Sequence, residues 1–202
     1  FNIFNAVNYS NRELINTCKL VAKYKMDYVY FADTHGSMDL SKLFNKFDKV
    51  INLLKKSGKK VGMHLHDHSG RGYFNFRQLE KYKIFISDAS IKGMGKGFGN
   101  LRLEHIINSK HLSKLAEFIN NNNTLLTMPP NPYTLITSKY GITDNYAAQA
   151  KRLNIPMGKF DEFASNVEGI NRDSFNKKLI LKKWLKIKEY WLLEVPLGLV
   201  LL

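Results

Sequence analysis

Val61-Gly62-Met63-His64-Leu65-His66-Asp67-His68 is the stretch on which the reading of this chain turns. It alternates strictly. In an extended strand, Val61, Met63 and Leu65 fall on one side and Gly62, His64 and His66 on the other. Two imidazoles two residues apart on a strand share a face, about 6.6 Å apart along the backbone. That separation suits two neighbouring positions around one divalent cation, for which imidazole is the commonest protein ligand. Asp67 and His68 follow where the strand should end. Alone, the pattern also fits a basic strand end with solvated histidines, so its surroundings decide.

Working outward, short apolar runs alternate with amphipathic ones. Phe1–Val7 reads as a strand. Ser10-Asn11-Arg12-Glu13 is a capping-box pattern, and Leu14, Ile15, Cys18, Val21 and Ala22 follow at helical spacing. Tyr28–Ala32 is an uninterrupted β-prone run of the kind buried on both faces, and it ends in Asp33-Thr34-His35-Gly36. Asp39 or Ser41 can cap a second helix whose buried face is Leu43, Phe44, Phe47, Val50, Ile51 and Leu54, with Gly58 as its stop. After the histidine strand, a shorter helix is expected over Tyr73–Lys81, a fourth strand over Ile84–Asp88, a glycine-rich stretch over Gly93–Asn100 and a helix from Leu101. Four such strand–helix units predict a parallel sheet with right-handed crossovers. The polar residues gather just beyond each strand: Asp33 and His35, His66 to His68, Asp88 and Ser90. In α/β folds that edge holds ligands.

Beyond residue 110 the pattern is helical: His111–Ile119, Asp144–Leu153 and Lys159–Asn166, with Met128-Pro129-Pro130-Asn131-Pro132 as a rigid connector. The divisions expected are 1–110, a helical region 111–176, and a basic, apolar tail 177–202. No repeat of fixed period is present.

Composition narrows the class. With 202 residues, 44% hydrophobic and 12% aromatic, the chain can bury a sizeable core and is not disordered. Lys and Arg outnumber Asp and Glu by 31 to 17, a formal charge of +14. The lysines are scattered among many Asn and Ile, so the excess reads as solvated surface, favourable to anionic substrates, and not as a nucleic-acid stripe. One cysteine, Cys18, forbids an internal disulfide and favours a reducing, cytoplasmic setting; its place in an apolar stripe marks it as core. The longest apolar run, Leu192–Leu202, is too short for a membrane span. The chain opens with Phe1 and has no signal-peptide pattern, which leads us to expect that it begins inside a longer protein.

Three motifs then coincide in order: Tyr30–Gly36, Gly62–Asp67, and Asp88-Ala89-Ser90-Ile91-Lys92-Gly93-Met94-Gly95-Lys96-Gly97-Phe98-Gly99-Asn100 with Glu104. Together they resemble the metal-dependent aldolase and Claisen-type lyase/synthase superfamily, in the form carried by 4-hydroxy-2-oxovalerate aldolases. The resemblance implies the C-terminal half of a TIM barrel, with Phe1 near the fifth strand. It implies a divalent metal, Mn²⁺ or Mg²⁺ with Zn²⁺ accommodated, held by His64 and His66 with Asn100, and with Asp67, His68 and Asp88 in support. Asp33 matches an active-site aspartate. Tyr140 is placed as a tyrosine closing over the site, with packing as its alternative. Gly95 and Gly97 allow close approach to substrate. The implied reaction cleaves or forms a C–C bond in a 4-hydroxy-2-oxo acid through a metal-stabilised pyruvate enolate. An acyl-CoA-condensing synthase on the same barrel is the alternative, and an inactive fragment or basic binding module another. The implied partners are a small 2-oxo acid and either the missing N-terminal barrel half or a dehydrogenase, in a homo-oligomer, without nucleic acid or membrane. The family's first-strand carboxylate ligand and arginine have no counterpart here, nor has the lyase-type loop cysteine. From the residues alone, Asp33 reads equally as a cap on the following loop, and Asp88 as a brace of the glycine-rich loop. That loop fits neither G-x-G-x-x-G nor a Walker sequence.

Overall fold

The computed structural model describes residues 1–68, 70–95, 99–124, 126 and 131–184. Four parallel strands, β1 (Asn2–Ile3), β2 (Tyr28–Ala32), β3 (Lys60–His64) and β4 (Ile86–Asp88), lie in sequence order. Between them run α1 (Asn11–Ala22), α2 (Leu40–Lys56) and α3 (Arg71–Leu79). Strands in chain order joined by helices are the α/β arrangement of a partial barrel.

Each helix forms where its pattern dictates. The Ser10 hydroxyl accepts from the Glu13 amide at 3.2 Å while the Glu13 carboxylate accepts from the Ser10 amide at 2.8 Å, closing the capping box of α1. Leu14, Cys18 and Val21 then bury one stripe. Asp39 precedes α2, but its side chain does not cap; it accepts from the Ser41 hydroxyl instead. Phe47, Val50, Ile51 and Leu54 of α2 join Val29, Phe31, Val61, Met63 and Leu65 in one core. Burial of Cys18 pushes its thiol up to about 12, as suits a core residue.

The expectation that β2 is buried on both faces is not met. Val29 and Phe31 are sealed under the helices, whereas Tyr28 is 40% exposed and Tyr30 half-buried. Among the described residues, helices cover one face of the sheet, and the face carrying Tyr28, Tyr30 and Ile86 remains partly open. Gly62 sits there because a Cβ would lie 2.6 Å from the Tyr30 ring.

After β4 come α4 (Leu103–Ile106) and α5 (Ser109–Asn121), then α6 (Tyr133–Tyr140), α7 (Asn145–Arg152) and α8 (Met157–Ser165). The sequence pattern showed α5, α7 and α8 and passed over α6. A second core surrounds Tyr146, whose ring meets Phe163 and Phe175 edge-on. Residues 177–184 are helical, and Ile180 is buried in this core. The rest of the tail, and Met128 to Pro130 of the connector, lie outside the described residues. The helical region docks on the C-terminal edge of the sheet: the Ser138 hydroxyl donates to the Gly36 carbonyl at 2.6 Å, and His35 Nε2 lies 3.0 Å from the Asp173 carboxylate. Among the described residues no helix is long and apolar enough to cross a membrane.

Candidate functional site

Strand register builds the site. Ala32, His64 and Asp88 are lateral neighbours across β2, β3 and β4 at their C-terminal ends. His64 Nδ1 accordingly lies 3.1 Å from Asp88 Oδ2. Two residues on, His66 forms a bridge with Asn100, and its Nδ1 meets the Asp33 carbonyl. The two rings stand 5.0 Å apart between centroids, with their planes at 88°. A carboxylate and a carbonyl oxygen accept only, so each Nδ1 carries a proton and donates it, and in the neutral form of each ring Nε2 keeps its lone pair. Burial pulls His66 down to about 4, so it is neutral at neutral pH. Both residues line one cavity of about 400 Å³ together with Ala32, Thr34, His35, Asn100, Thr143 and Asp144.

Asn100 is oriented from the glycine-rich loop. Its Nδ2 donates to the Met94 carbonyl at 2.9 Å, and among the described residues Oδ1 has no donor. Gly95, at φ +152°, is the conformation in which a Cβ would run into that amide. Gly95 thus makes room for Asn100 and does not line the cavity; Gly97 lies outside the described residues.

The supporting residues divide differently from expectation. Among the described residues Asp88 braces His64 and not the loop. The loop is held by the Ser90 hydroxyl, which donates to the Met94 carbonyl at 2.6 Å, and by Glu104, which accepts from the Lys92 amide at 2.8 Å. Asp67 orients neither histidine: its carboxylate accepts from the Gly72 amide at 2.6 Å and so serves the first turn of α3. His68, its side chain fully buried, stacks on His66 at 5.2 Å with planes 9° apart, and its Nε2 is 3.6 Å from Asp144 Oδ2.

Two residues placed at the chemistry by resemblance sit elsewhere. The Asp33 carboxylate turns into its own loop, accepts from the Met38 amide at 3.0 Å and is 1% exposed. The capping alternative describes it, and only its carbonyl reaches the site. Desolvation raises its pKa to about 7 against the pull of the loop amides. Tyr140 packs on the second core with its hydroxyl 3.1 Å from Asp161 Oδ2, away from the cavity lining. It ends α6, and the fold of the helical region aims it there. Conversely, Thr143 and Asp144 line the cavity although no local pattern singled them out; Asp144 announced itself only as the start of a helix.

A family model, HMGL-like, matches residues 2–127. The chain belongs to the HMGL-like family. A 4-hydroxy-2-oxovalerate aldolase from Geobacillus genomosp. 3 is 32% identical over 98 residues, which are 48% of this HMGL-like chain and 28% of that relative. Among solved structures, the N-terminal domain of a protein from Bacteroides vulgatus assigned as an aldolase superposes with a TM-score of 0.51 at 18% identity, covering 85% of this chain and 55% of that one. Pyruvate carboxylase from Rhizobium etli superposes at 0.60 and 13% identity, over 94% of this chain and 22% of that one. Its separate carboxyl transferase domain, solved with pyruvate, gives 0.60 at 12% identity, over 94% and 37%. These structures share the fold; the chain spans little over half of the shortest of them and about a quarter of the curated aldolase. Membership supports an aldolase- or lyase-type function.

Among the described residues no three His, Cys, Asp or Glu side chains gather around one point. The donors at hand are His64, His66 and the Asn100 amide oxygen. Two imidazoles with tethered Nδ1 atoms and one amide oxygen suit a divalent metal of intermediate softness.

Proposed function

We propose that this chain supplies the metal-holding half of a divalent-metal-dependent aldolase that cleaves, or forms, the C3–C4 bond of a 4-hydroxy-2-oxo acid. The observation that carries the reading is the pair of tethered imidazoles beside Asn100 on the ligand-binding edge of an HMGL-like sheet. A Mn²⁺ or Mg²⁺ ion, when bound, would supply Lewis-acid stabilisation of negative charge on the 2-oxo group. His64 and His66 would hold it through Nε2, and Asn100 through Oδ1. Asp88 and the Asp33 carbonyl keep the two rings in the required tautomer. In the cleavage direction the 4-hydroxyl loses its proton, the C3–C4 bond breaks and its electron pair stays on C3. A proton returned to C3 completes pyruvate, and the other product is an aldehyde. The remaining barrel strands, with a carboxylate ligand, complete this site in our reading, because four strands leave two unpaired edges.

The test is pyruvate release from 4-hydroxy-2-oxovalerate by the whole protein with Mn²⁺, followed in a coupled assay. His64→Ala should abolish it; full turnover in that variant refutes the assignment.

A further inference from the structure

His66 is tethered by its Nδ1 to the Asp33 carbonyl, and a ring held by one hydrogen bond can still swing about that contact. Its plane is set by a second contact. The His68 ring stacks on it at 5.2 Å with planes 9° apart, and the His68 side chain is fully buried. His68 in turn fills a slot between two glycines of the sequence motifs. A Cβ at Gly36 would lie 2.5 Å from its Cδ2, and one at Gly99 would lie 1.9 Å from its Nδ1. Neither approach is open to a real Cβ, so both positions are glycine to admit this ring. Gly99 directly precedes Asn100, and its carbonyl accepts from the Asp67 amide. The slot therefore also spaces Asn100 from His66.

The helical region closes the slot. Asp144 Oδ2 stands 3.6 Å from His68 Nε2, and the Asp144 side chain is 10% exposed. Asp144 Oδ1 accepts from the hydroxyl of Thr137, a fully buried residue of α6, at 2.7 Å. Beside Thr137, the Ser138 hydroxyl donates to the carbonyl of Gly36, on the other side of the same ring. Just after α6, a Cβ at Gly141 would lie 3.2 Å from the Ser37 hydroxyl oxygen, so the two loops are in close register. Neither nitrogen of His68 has a hydrogen-bond partner among the described residues. Packing and the Asp144 charge hold the ring, and α6 supports both.

We infer that Asp144 is a positioning residue of the metal site. It acts through His68, whose ring sets the plane of His66 and hence the direction of the Nε2 lone pair. The geometry of the site then depends on the docking of the helical region as well as on strand register. This deepens the aldolase reading and rests on it for the role of His66, although the placement of that ring is measurable without metal.

Two measurements on the whole protein test it. Mn²⁺ affinity is taken by isothermal titration calorimetry, and the side-chain nitrogen shifts of His66 are followed by long-range ¹H–¹⁵N NMR on metal-free protein. Asp144→Ala and His68→Ala should each weaken Mn²⁺ binding by about tenfold, as loss of support around a ligand does. The double variant should lie within about twofold of His68→Ala, because Asp144 no longer has a ring to act through. A His66 ring that swings off the Asp33 carbonyl loses its fixed tautomer. Its two nitrogen shifts should therefore draw together in both single variants, by more than a change of ring current produces. Gly99→Ala, which drives His68 from its slot and removes no core side chain, should have the same effects and serves as the second background if His68→Ala fails to fold. Losses that multiply in the double variant would mean that Asp144 touches the metal or merely stabilises the fold, and they overturn the inference. Unchanged His66 shifts in Asp144→Ala overturn it too. Mn²⁺ bound by the parent without pyruvate release overturns the aldolase reading and leaves the positioning role standing. No binding of Mn²⁺ by the parent overturns both.

Discussion

Asn75 is fully buried on α3, and it ties the helix after the histidine strand to the loop that leads into α2. Its Oδ1 accepts from the Leu40 amide at 3.1 Å and its Nδ2 donates to the Met38 carbonyl at 2.9 Å. Met38 and Leu40 are themselves 0% and 4% exposed, so water cannot replace the lost partners. Asn75→Ala therefore strands one N–H and one C=O in the interior. At about 1–3 kcal/mol for each of the two orphaned groups, the loss should be roughly 2–6 kcal/mol, which for a chain of this size lowers Tm by about 10 °C. Urea unfolding followed by circular dichroism measures it, with exposed Asn145→Ala as the comparison, expected within about 0.5 kcal/mol of the parent. The same loop carries the Asp33 carbonyl that holds His66, so metal affinity should fall along with stability. A change under about 1 kcal/mol in Asn75→Ala would show that the two bonds are replaced on relaxation, and the reasoning would fail.

Two further outcomes are expected. Asp88→Ala removes the acceptor that fixes the His64 tautomer; because Asp88 is 45% exposed at its side chain, the loss of Mn²⁺ affinity should lie near the lower end of the range, about tenfold, by isothermal titration calorimetry. Unchanged affinity would remove Asp88 from the site. For Asp33, the pKa is raised from 3.8 to about 7 in the fold, so the folded state holds the proton more tightly than the unfolded chain. Its stabilising contribution is full below pH 3.8 and is lost as the pH rises towards 7, by a few kcal/mol at most. Asp33→Asn, which keeps an oxygen for the Met38 amide, should flatten that decline. Parallel Tm curves for the two proteins between pH 4 and 7.5 would contradict it.

What could be seen in the sequence was whatever repeats within one element. The period-2 alternation from Val61 to His66 placed two imidazoles on one strand face. The order of apolar runs placed four parallel strands, and the Ser10–Glu13 box placed the start of α1. These are local signals, because backbone geometry alone sets which side a residue takes. The rest required the chain to close on itself. Asp33 and Asp67 are the same residue type as Asp88 and stand at equivalent strand ends. Yet the turn at Gly36 and the start of α3 claim the first two for backbone amides, and only register gives the third to a histidine. His68 meets Asp144, and His35 meets Asp173, across separations of 76 and 138 residues. No periodicity encodes such pairs: they exist only because a second core, built around Tyr146, is pressed onto the strand ends, and its packing, not any motif, decides which polar groups face one another.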